Sequence, residues 1–171
     1  SVTDGQNNST NYMYDQRNLQ TEIIFSDTQD ASDKVSFNFD AIQRKSSQLD
    51  QNGDLIIYQY DMANRLLQRQ YPDALNDVFS YDQASRITQA VSNRYLNTVS
   101  RTYNDDSTVA TEGLITNGQN YLISHFFDSA KRNYQTNYPN GKVLSQVFTA
   151  RNQLSSVAYD SQSMANFQYD A

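Results

Sequence analysis

Residues 58–66 read YQYDMANRL, and residues 79–87 repeat the arrangement as FSYDQASRI. In both stretches a polar residue separates two aromatic ones, an Asp follows the second aromatic, and an Arg stands four residues after that Asp. Alternate side chains of a strand lie on the same face, so the two aromatics share a face. The Asp then opens a tight turn, in which its carboxylate accepts a backbone N–H from two residues further on. Each stretch is therefore predicted to end one strand and turn into the next.

The same aromatic–Asp pair, or a near substitute, recurs along the whole chain. Phe39, Tyr60 and Tyr81 follow one another at intervals of 21 residues, and the other intervals range from 21 to 25. Self-similarity at a fixed period is the signature of a repeat protein. We therefore predict a single array of repeats of ~21 residues over residues 1–171. Its eight aromatic anchors are Tyr14, Phe39, Tyr60, Tyr81, Tyr103, Phe127, Phe148 and Tyr169.

The residues that carry the repeat most clearly are predicted to be structural. The repeated Arg is expected to pair with neighbouring Asp carboxylates or backbone carbonyls. The residue three positions after the Asp is mostly Asn or Ser, which tolerate a left-handed backbone. Gln43 and Lys131 hold that position in two repeats, and both residue types are less favourable there than Asn or Ser. The signature residues are Tyr58, Tyr60, Asp61, Arg65, Phe79, Tyr81, Asp82, Arg86, Asp128, Arg132, Tyr169 and Asp170.

A second turn is predicted about 13 residues after each anchor. It is marked by Asn-Gly at Asn52, Asn117 and Asn140, and by residues 72–74 where Gly is missing. Asn-Gly between alternating segments is the strongest short-range signal for a hairpin. Two longer intervals place extra residues in two segments, 26–33 and 111–117, which we interpret as enlarged loops. The predicted fold class is all-β, with antiparallel β-hairpin repeats of about sixteen strands.

Composition and charge narrow the possible functions. Aromatic residues make up 12% of the 171 residues although the mean hydropathy is −0.77, whereas a disordered chain would be poor in aromatics. The net charge of −6 disfavours nucleic acid as a partner. The absence of Cys excludes disulfides and thiolate metal sites. No apolar run approaches the ~18 residues that would span a bilayer, so no membrane span is predicted.

Few residues offer catalytic or metal-binding chemistry. His125 is the single histidine and occupies the position that Tyr or Phe fills in other repeats, so we interpret it as a replacement for an aromatic on the sheet. Residues 104–107, NDDS, coincide with an anchor turn and lack the Gly and distal Glu of a calcium loop. The anchor Asp recurs in most repeats, whereas an active site needs one constellation. We therefore predict no enzyme activity, no cofactor and no metal site, and the binding residues stay open.

The pattern aromatic-x-Tyr-Asp-x-x-Gly-Arg-Leu resembles the YD-repeat, or RHS-repeat, family, and residues 58–66 and 79–87 agree with it best. Members include Rhs and Tc-toxin shell proteins, wall-associated toxins and teneurin-like proteins. The similarity covers essentially the whole chain, although no repeat keeps the family's Gly three residues after the Asp. It implies a curved, spiralling sheet that is part of an RHS-type shell. It also implies a non-enzymatic structural segment of a secreted or cell-surface protein, forming the wall that encloses or delivers a toxin or other polypeptide.

An alternative function uses the same sheet for binding. Tyr-rich strands present aromatic faces to sugars or polypeptide, with Asn and Gln supplying hydrogen bonds, so the chain could be a carbohydrate- or cell-surface-binding adhesion module. The resemblance implies that the partners are the remainder of a longer RHS chain or another copy, which would join through exposed sheet edges. An enclosed toxin polypeptide and a glycan are the further partners of the two hypotheses, and neither hypothesis involves nucleic acid.

Overall fold

The computed structural model describes residues 1–25 and 33–170. All regular secondary structure in this part of the chain is β-strand, and strand order follows chain order. Within β1–β8 and within β9–β16, successive strands pair antiparallel. The predicted all-β class of antiparallel hairpin repeats is therefore confirmed. The sixteen strands found there are β1 (Val2–Thr3), β2 (Ser9–Tyr14), β3 (Gln20–Phe25), β4 (Lys34–Phe39), β5 (Lys45–Leu49), β6 (Leu55–Tyr60), β7 (Leu66–Gln70), β8 (Asn76–Tyr81), β9 (Ile87–Ser92), β10 (Asn97–Tyr103), β11 (Val109–Thr116), β12 (Gln119–Phe127), β13 (Asn133–Asn137), β14 (Val143–Phe148), β15 (Leu154–Tyr159) and β16 (Gln162–Asn166).

The chain falls into two compact units, Ser1–Phe79 and Ser80–Ala171. In the first unit, β1 to β7 pair consecutively, and the β6–β7 hairpin sets Tyr58 opposite Arg69. In the second unit, β9 to β16 pair in the same consecutive way. Each unit is therefore built from hairpins that contact the hairpin before and the hairpin after them.

A β-bulge accompanies the anchor aromatic of the hairpins. The register of β6 and β7 shifts between Gln59 and Tyr60, so that Tyr60 pairs with Leu66. A bulge bends its strand and increases the local twist. The same shift occurs immediately before five further anchors: Tyr14, Phe39, Tyr103, Phe127 and Phe148. The repeated anchor therefore marks a repeated bend.

The anchor turns share one backbone geometry. At Asp61, the backbone N–H donates to the Arg65 carbonyl at 3.0 Å, and the Asn64 N–H donates to the Asp61 carbonyl at 3.2 Å. Asn64 has a φ of 65°, which lies in the left-handed region. The residues at the equivalent position of other anchor turns have φ between 61° and 70°, and they are Asn18, Gln43, Ser85, Ser107, Lys131 and Asn152. Gln43 and Lys131 thus adopt this backbone despite a steric cost of ~1–2 kcal/mol.

Replacing Gln43 by Gly is expected to stabilise the chain. At its φ of 69°, Gly avoids a steric cost of ~1–2 kcal/mol but loses ~0.5–1 kcal/mol through the greater freedom of the unfolded chain. We expect the free energy of unfolding, measured by urea denaturation, to rise by about 0.5–1 kcal/mol. The matched control is Gln48→Gly on β5, which should lower it by a similar amount. A decrease for Gln43→Gly would contradict the steric argument.

The segment 111–117, predicted as an enlarged loop, is instead strand and tight turn. It belongs to β11 and to a two-residue turn in which Asn117 and Gly118 have φ of 49° and 73°. The extra residues lengthen β11 and β12 to 8 and 9 residues. A longer ladder satisfies backbone groups within the sheet, and the β-branched and apolar residues of β11 favour strand. The other predicted loop, 26–33, lies outside the described residues except for Asp33.

The described part of the chain contains no fully buried hydrophobic side chain. The buried polar residues there are Asp77 and Thr136, with 8% and 6% of their surface exposed. Among the anchors, Tyr14 and Tyr169 are 57% and 47% exposed, while the anchors between them are half-buried. Side chains are therefore covered mainly by their neighbours along the sheet, and lateral contacts between hairpins carry the stability.

Candidate functional site

The recurring polar site of this chain is the anchor turn. In the turn at Asp61, one carboxylate oxygen, Oδ1, accepts the N–H groups of Ala63 at 2.8 Å and of Arg65 at 2.9 Å. The first of these is the hydrogen bond predicted for the anchor Asp, and together they satisfy two backbone donors of the turn. The same two bonds hold the turns at Asp15, Asp40 and Asp128.

The second carboxylate oxygen pairs with the Arg side chain of the same turn. The Oδ2 atom of Asp61 accepts from Arg65 Nε at 2.6 Å. Four turns have such a pair, and the Arg side chain in each is only 25–27% exposed. Water therefore screens these ion pairs less than it screens a fully solvated pair. Pairs at the same N···O distance of 2.6 Å join Asp40 to Arg44, Asp82 to Arg86 and Asp128 to Arg132.

Arg44 also reaches the next repeat. Its Nη1 atom donates to the Asp61 carbonyl and to Asn64 Oδ1, both at 3.0 Å. Its guanidinium carbon lies 4.7 Å from the centre of the Tyr60 ring. One side chain thus ties two successive turns together through a carbonyl, an amide and an aromatic face. We call this arrangement, an Arg bound to its own anchor Asp and to the next anchor turn, the arginine clamp.

Arg86 and Arg132 form two further clamps in the second unit. Their Nη1 atoms donate to an anchor carbonyl at 3.4 and 3.2 Å and to a side-chain oxygen at 3.0 and 2.9 Å. Their guanidinium carbons lie 4.4 and 5.1 Å from the centre of the next anchor ring. The residues contacted in the next repeat are Asn104, Ser107 and Tyr103 for Arg86, and Thr149, Asn152 and Phe148 for Arg132.

The turns at Asp61 and Asp128 favour the ionised form of the anchor carboxylate. The backbone N–H of Arg65 is the main cause that lowers the pKa of Asp61 below its usual value, and the Arg65 guanidinium adds to it. At Asp128 the hydrogen bond from the Arg132 guanidinium is the main cause of a lowered pKa. A carboxyl whose folded pKa is lowered stabilises the fold above its unfolded pKa, near pH 4, and loses that effect as the pH falls through the folded pKa.

We therefore expect thermal stability to decline as the pH falls below ~4. The melting temperature, followed by circular dichroism between neutral and strongly acidic pH, measures this decline. Asp61→Asn keeps a side-chain oxygen but cannot ionise, so it should melt lower at neutral pH and lose less on acidification. The matched control is Asp105→Asn, which alters an exposed anchor-turn carboxylate and should follow the unmodified chain. An unchanged acid profile in Asp61→Asn would contradict the assignment.

The sequence pattern did not predict two contacts between repeats. The first repeat lacks Arg at the expected position, but Arg17 pairs with Asp15 at 2.8 Å and extends Nη1 to 3.5 Å from the Asp40 carbonyl. In the sixth turn, Lys131 donates backwards to the Asp106 carbonyl at 3.1 Å. Arg17 stands two positions, and Lys131 one position, before the place in the turn that the pattern gives to Arg. A pattern that accepts a shifted Arg or Lys within the turn would have found them.

The remaining signature residues are spread along the sheet. Tyr58 lies on β6, and Phe79 and Tyr81 lie on β8. The Tyr169 hydroxyl donates to a backbone carbonyl of the preceding repeat at 2.8 Å, and Asp170 is exposed. Apart from Tyr169 and Asp170, which follow β16, the signature consists of Asp–Arg pairs in the turns and of aromatic side chains on the strands. It does not converge on one cluster.

His125 lies on β12, in the strand position that other repeats give to an aromatic. Its ring is tilted against Phe127 with 6.5 Å between the ring centres, and its Nδ1 atom lies 3.2 Å from Thr136 Oγ1. Its Nε2 atom lies 3.5 Å from Glu112, whose carboxylate also pairs with Arg101 at 2.8 Å. Thr136 is only 6% exposed. His125 therefore belongs to a cluster of polar side chains on the sheet.

The segment 104–107 forms an anchor turn. The Asn104 N–H donates to the Thr108 carbonyl at 2.9 Å, and Ser107 has a φ of 70°. Residues 1–25 and 33–170 contain no group of three or more side chains placed to hold a metal ion. No helix in the described chain has the length and apolar character needed to cross a bilayer.

These features define an all-β repeat protein in which the arginine clamps of Arg44, Arg86 and Arg132 join neighbouring repeats. The chain is similar in fold to the crystal structure of TcdB2-TccC3-TEV, with a TM-score of 0.65 and 13% identity over 88% of this chain and 9% of that chain. It is also similar to TcdB2-TccC3, and to TcdB2-TccC3 without its hypervariable C-terminal region, each with a TM-score of 0.58 and 12% identity over 89% of this chain and 10% of the other.

The chain thus spans about a tenth of the length of the chains that it matches. The resemblance to RHS and YD-repeat proteins is confirmed at the level of the fold. No protein-family model matches the sequence, and no curated protein matches it either. The fold therefore persists where the sequence similarity has fallen to 12–13% identity.

Proposed function

We propose that the chain is a non-enzymatic wall segment of an RHS-type shell, which encloses or delivers a toxin or other polypeptide. The likeness in fold to the TcdB2-TccC3 structures over almost nine-tenths of the chain is the observation that supports this most directly. A wall requires hairpins that stay side by side without a second layer. The arginine clamps provide such lateral links in a chain whose described residues bury no hydrophobic side chain completely.

The proposed partners follow from the sheet edges and from the length of the similar chains. β1 pairs with β2 and β16 pairs with β15, and both lie at an end of the strand order. Strand edges are templates for pairing with further strands. We propose that these edges join the remainder of a longer RHS chain or another copy, and that the assembled protein is secreted with its polypeptide guest.

Protease protection in the longer protein that contains this chain tests the proposal. We expect the guest polypeptide to resist cleavage while the wall is intact and to be cut once Arg44→Ala and Arg132→Ala remove two clamps. The matched control is Arg151→Ala, which removes an exposed Arg from an anchor turn without removing a clamp. A guest that is cut equally fast in the unmodified protein would contradict the proposal. Glycan binding by a protein with no protected guest would favour the adhesion module instead.

A further inference from the structure

In each clamp, an anchor turn binds an arginine of the preceding repeat through a carbonyl, a side-chain oxygen and an aromatic ring. The turn at Asp128 has the same carbonyl and a ring, but the preceding repeat has no arginine at the clamp position. The fifth repeat has Thr108 at the position that Arg holds in four repeats, and Asn104 at the position that Asp holds in six. The next anchor, Phe127, and its following residue, Asp128, keep the usual turn, because the Lys131 N–H donates to the Asp128 carbonyl at 2.9 Å. Among the described residues no guanidinium contacts that carbonyl or the Phe127 ring.

A cavity of about 310 Å³ lies at this junction. Liquid water occupies about 30 Å³ per molecule, so the space is large enough for the end of a long side chain. The residues that line it include Asn104, Asp106, Thr108, Phe127 and Asp128. A comparable cavity of about 550 Å³ lies beside Tyr103, and Arg86 is one of the residues that line it. At that junction the chain itself supplies the guanidinium that contacts the anchor ring.

Two carboxylates line the cavity, and each of them already has a cation nearby. Hydrogen bonds from the Thr108 hydroxyl and backbone N–H lower the pKa of Asp106, which keeps this carboxylate ionised. Asp128 is already paired with Arg132 at 2.6 Å. The Lys131 ammonium lies 3.9 Å from the Asp106 carboxylate, and Lys131 holds the turn position that most other turns give to Asn or Ser. Asp106 is thus the carboxylate that a visiting cation would share with Lys131.

We propose that this cavity binds the guanidinium of an arginine side chain from a partner polypeptide. The guanidinium would lie over the Phe127 ring and donate to the Asp128 carbonyl, as Arg86 and Arg132 do at their own junctions, and it would pair with Asp106. A planar group with several donors fits a ring, a carbonyl and a carboxylate at once, whereas a lysine ammonium is a compact point charge. The site is independent of the shell hypothesis, since an adhesion module could carry it equally.

Titration of the 171-residue chain by NMR, with N-acetyl-arginine methylamide as the probe, tests the site. We expect saturable shifts of the amide signals of Asn104, Thr108 and Asp128. The matched probe is N-acetyl-lysine methylamide, which should bind more weakly by a factor of about five. Equal affinity for the two probes, or shifts centred on another part of the chain, would overturn the proposal.

Two variants test the site in opposite ways: one removes a competing charge and the other fills the cavity. Lys131→Asn removes the competing cation and restores the oxygen found in other turns, so arginine binding should tighten about fivefold. Thr108→Arg fills the cavity from within the chain, so probe binding should be lost and the melting temperature should rise by about 2–4 °C. Gln119→Arg, at an exposed position at the start of β12, controls for the added charge and should change neither. Undiminished probe binding in Thr108→Arg would overturn the proposal.

Discussion

Tyr60→Ala is expected to lower the free energy of unfolding by about 3 kcal/mol. The Tyr60 ring is half-buried, and burial raises the pKa of its hydroxyl above the usual value. Truncation removes the aromatic surface and also the face over which the Arg44 guanidinium lies, 4.7 Å from the ring centre. Equilibrium urea denaturation, followed by far-ultraviolet circular dichroism, measures the change.

The matched control uses another anchor of the same array. Tyr14 has the same position in its repeat but is 57% exposed, so Tyr14→Ala should cost less than about 1 kcal/mol. The contrast between the two positions tests whether burial by the neighbouring repeat, and not the residue type, determines the contribution. A change near zero at Tyr60 would mean that the anchors make no stabilising contacts, and it would strengthen the adhesion hypothesis.

Arg44→Ala is expected to lower the free energy of unfolding by about 2 kcal/mol. The variant loses both 3.0 Å hydrogen bonds to the next turn, at the Asp61 carbonyl and Asn64 Oδ1, and the contact with the Tyr60 ring. Hydrogen bonds from a charged donor contribute more than neutral ones, and a part-buried carbonyl that loses its donor is costly. Urea denaturation again provides the measurement.

A double-mutant cycle isolates the contact between repeats. If Arg44 and Asn64 interact as the distance of 3.0 Å indicates, Arg44→Ala and Asn64→Ala together should cost about 0.5–1 kcal/mol less than the sum of the single changes. Arg151→Ala, at an exposed Arg of another anchor turn, should cost about 0.5 kcal/mol or less. Additive effects of Arg44→Ala and Asn64→Ala would show that the clamp does not couple the turns.

The fold was predictable where the determining interactions are local. The Asp61 carboxylate bonds backbone donors two and four residues away, and Asn64 adopts the left-handed φ three residues away. Such contacts depend on spacing within one turn, which is visible in a single sequence. The enlarged loop predicted for 111–117 was wrong, because an interval longer than the repeat does not reveal whether its extra residues join a ladder or a loop.

The candidate site was predictable only in part. The pattern identified Arg65 and Arg86 as signature residues, and Arg86 contacts a backbone carbonyl of the next turn, one of the two kinds of partner expected for the repeated Arg. It did not find Arg17, which reaches the next repeat from a shifted position, or the backward contact of Lys131 with Asp106. A flexible side chain can reach the same carbonyl from several positions in a turn, so position alone does not identify the donor.

The sequence by itself determined the hairpins of this protein. Aromatic residues two positions apart, an Asp at the start of each turn and a tolerant residue three positions later specify strand and turn, because these interactions span no more than about five residues. Only the tertiary structure decided which side chains meet between repeats. Strand pairing and the bulges beside Phe39 and Tyr60 bring Arg44 to Asn64, 20 residues away, while a similar bulge leaves Phe127 beside an open cavity. Contacts at that separation depend on register, which no local spacing specifies.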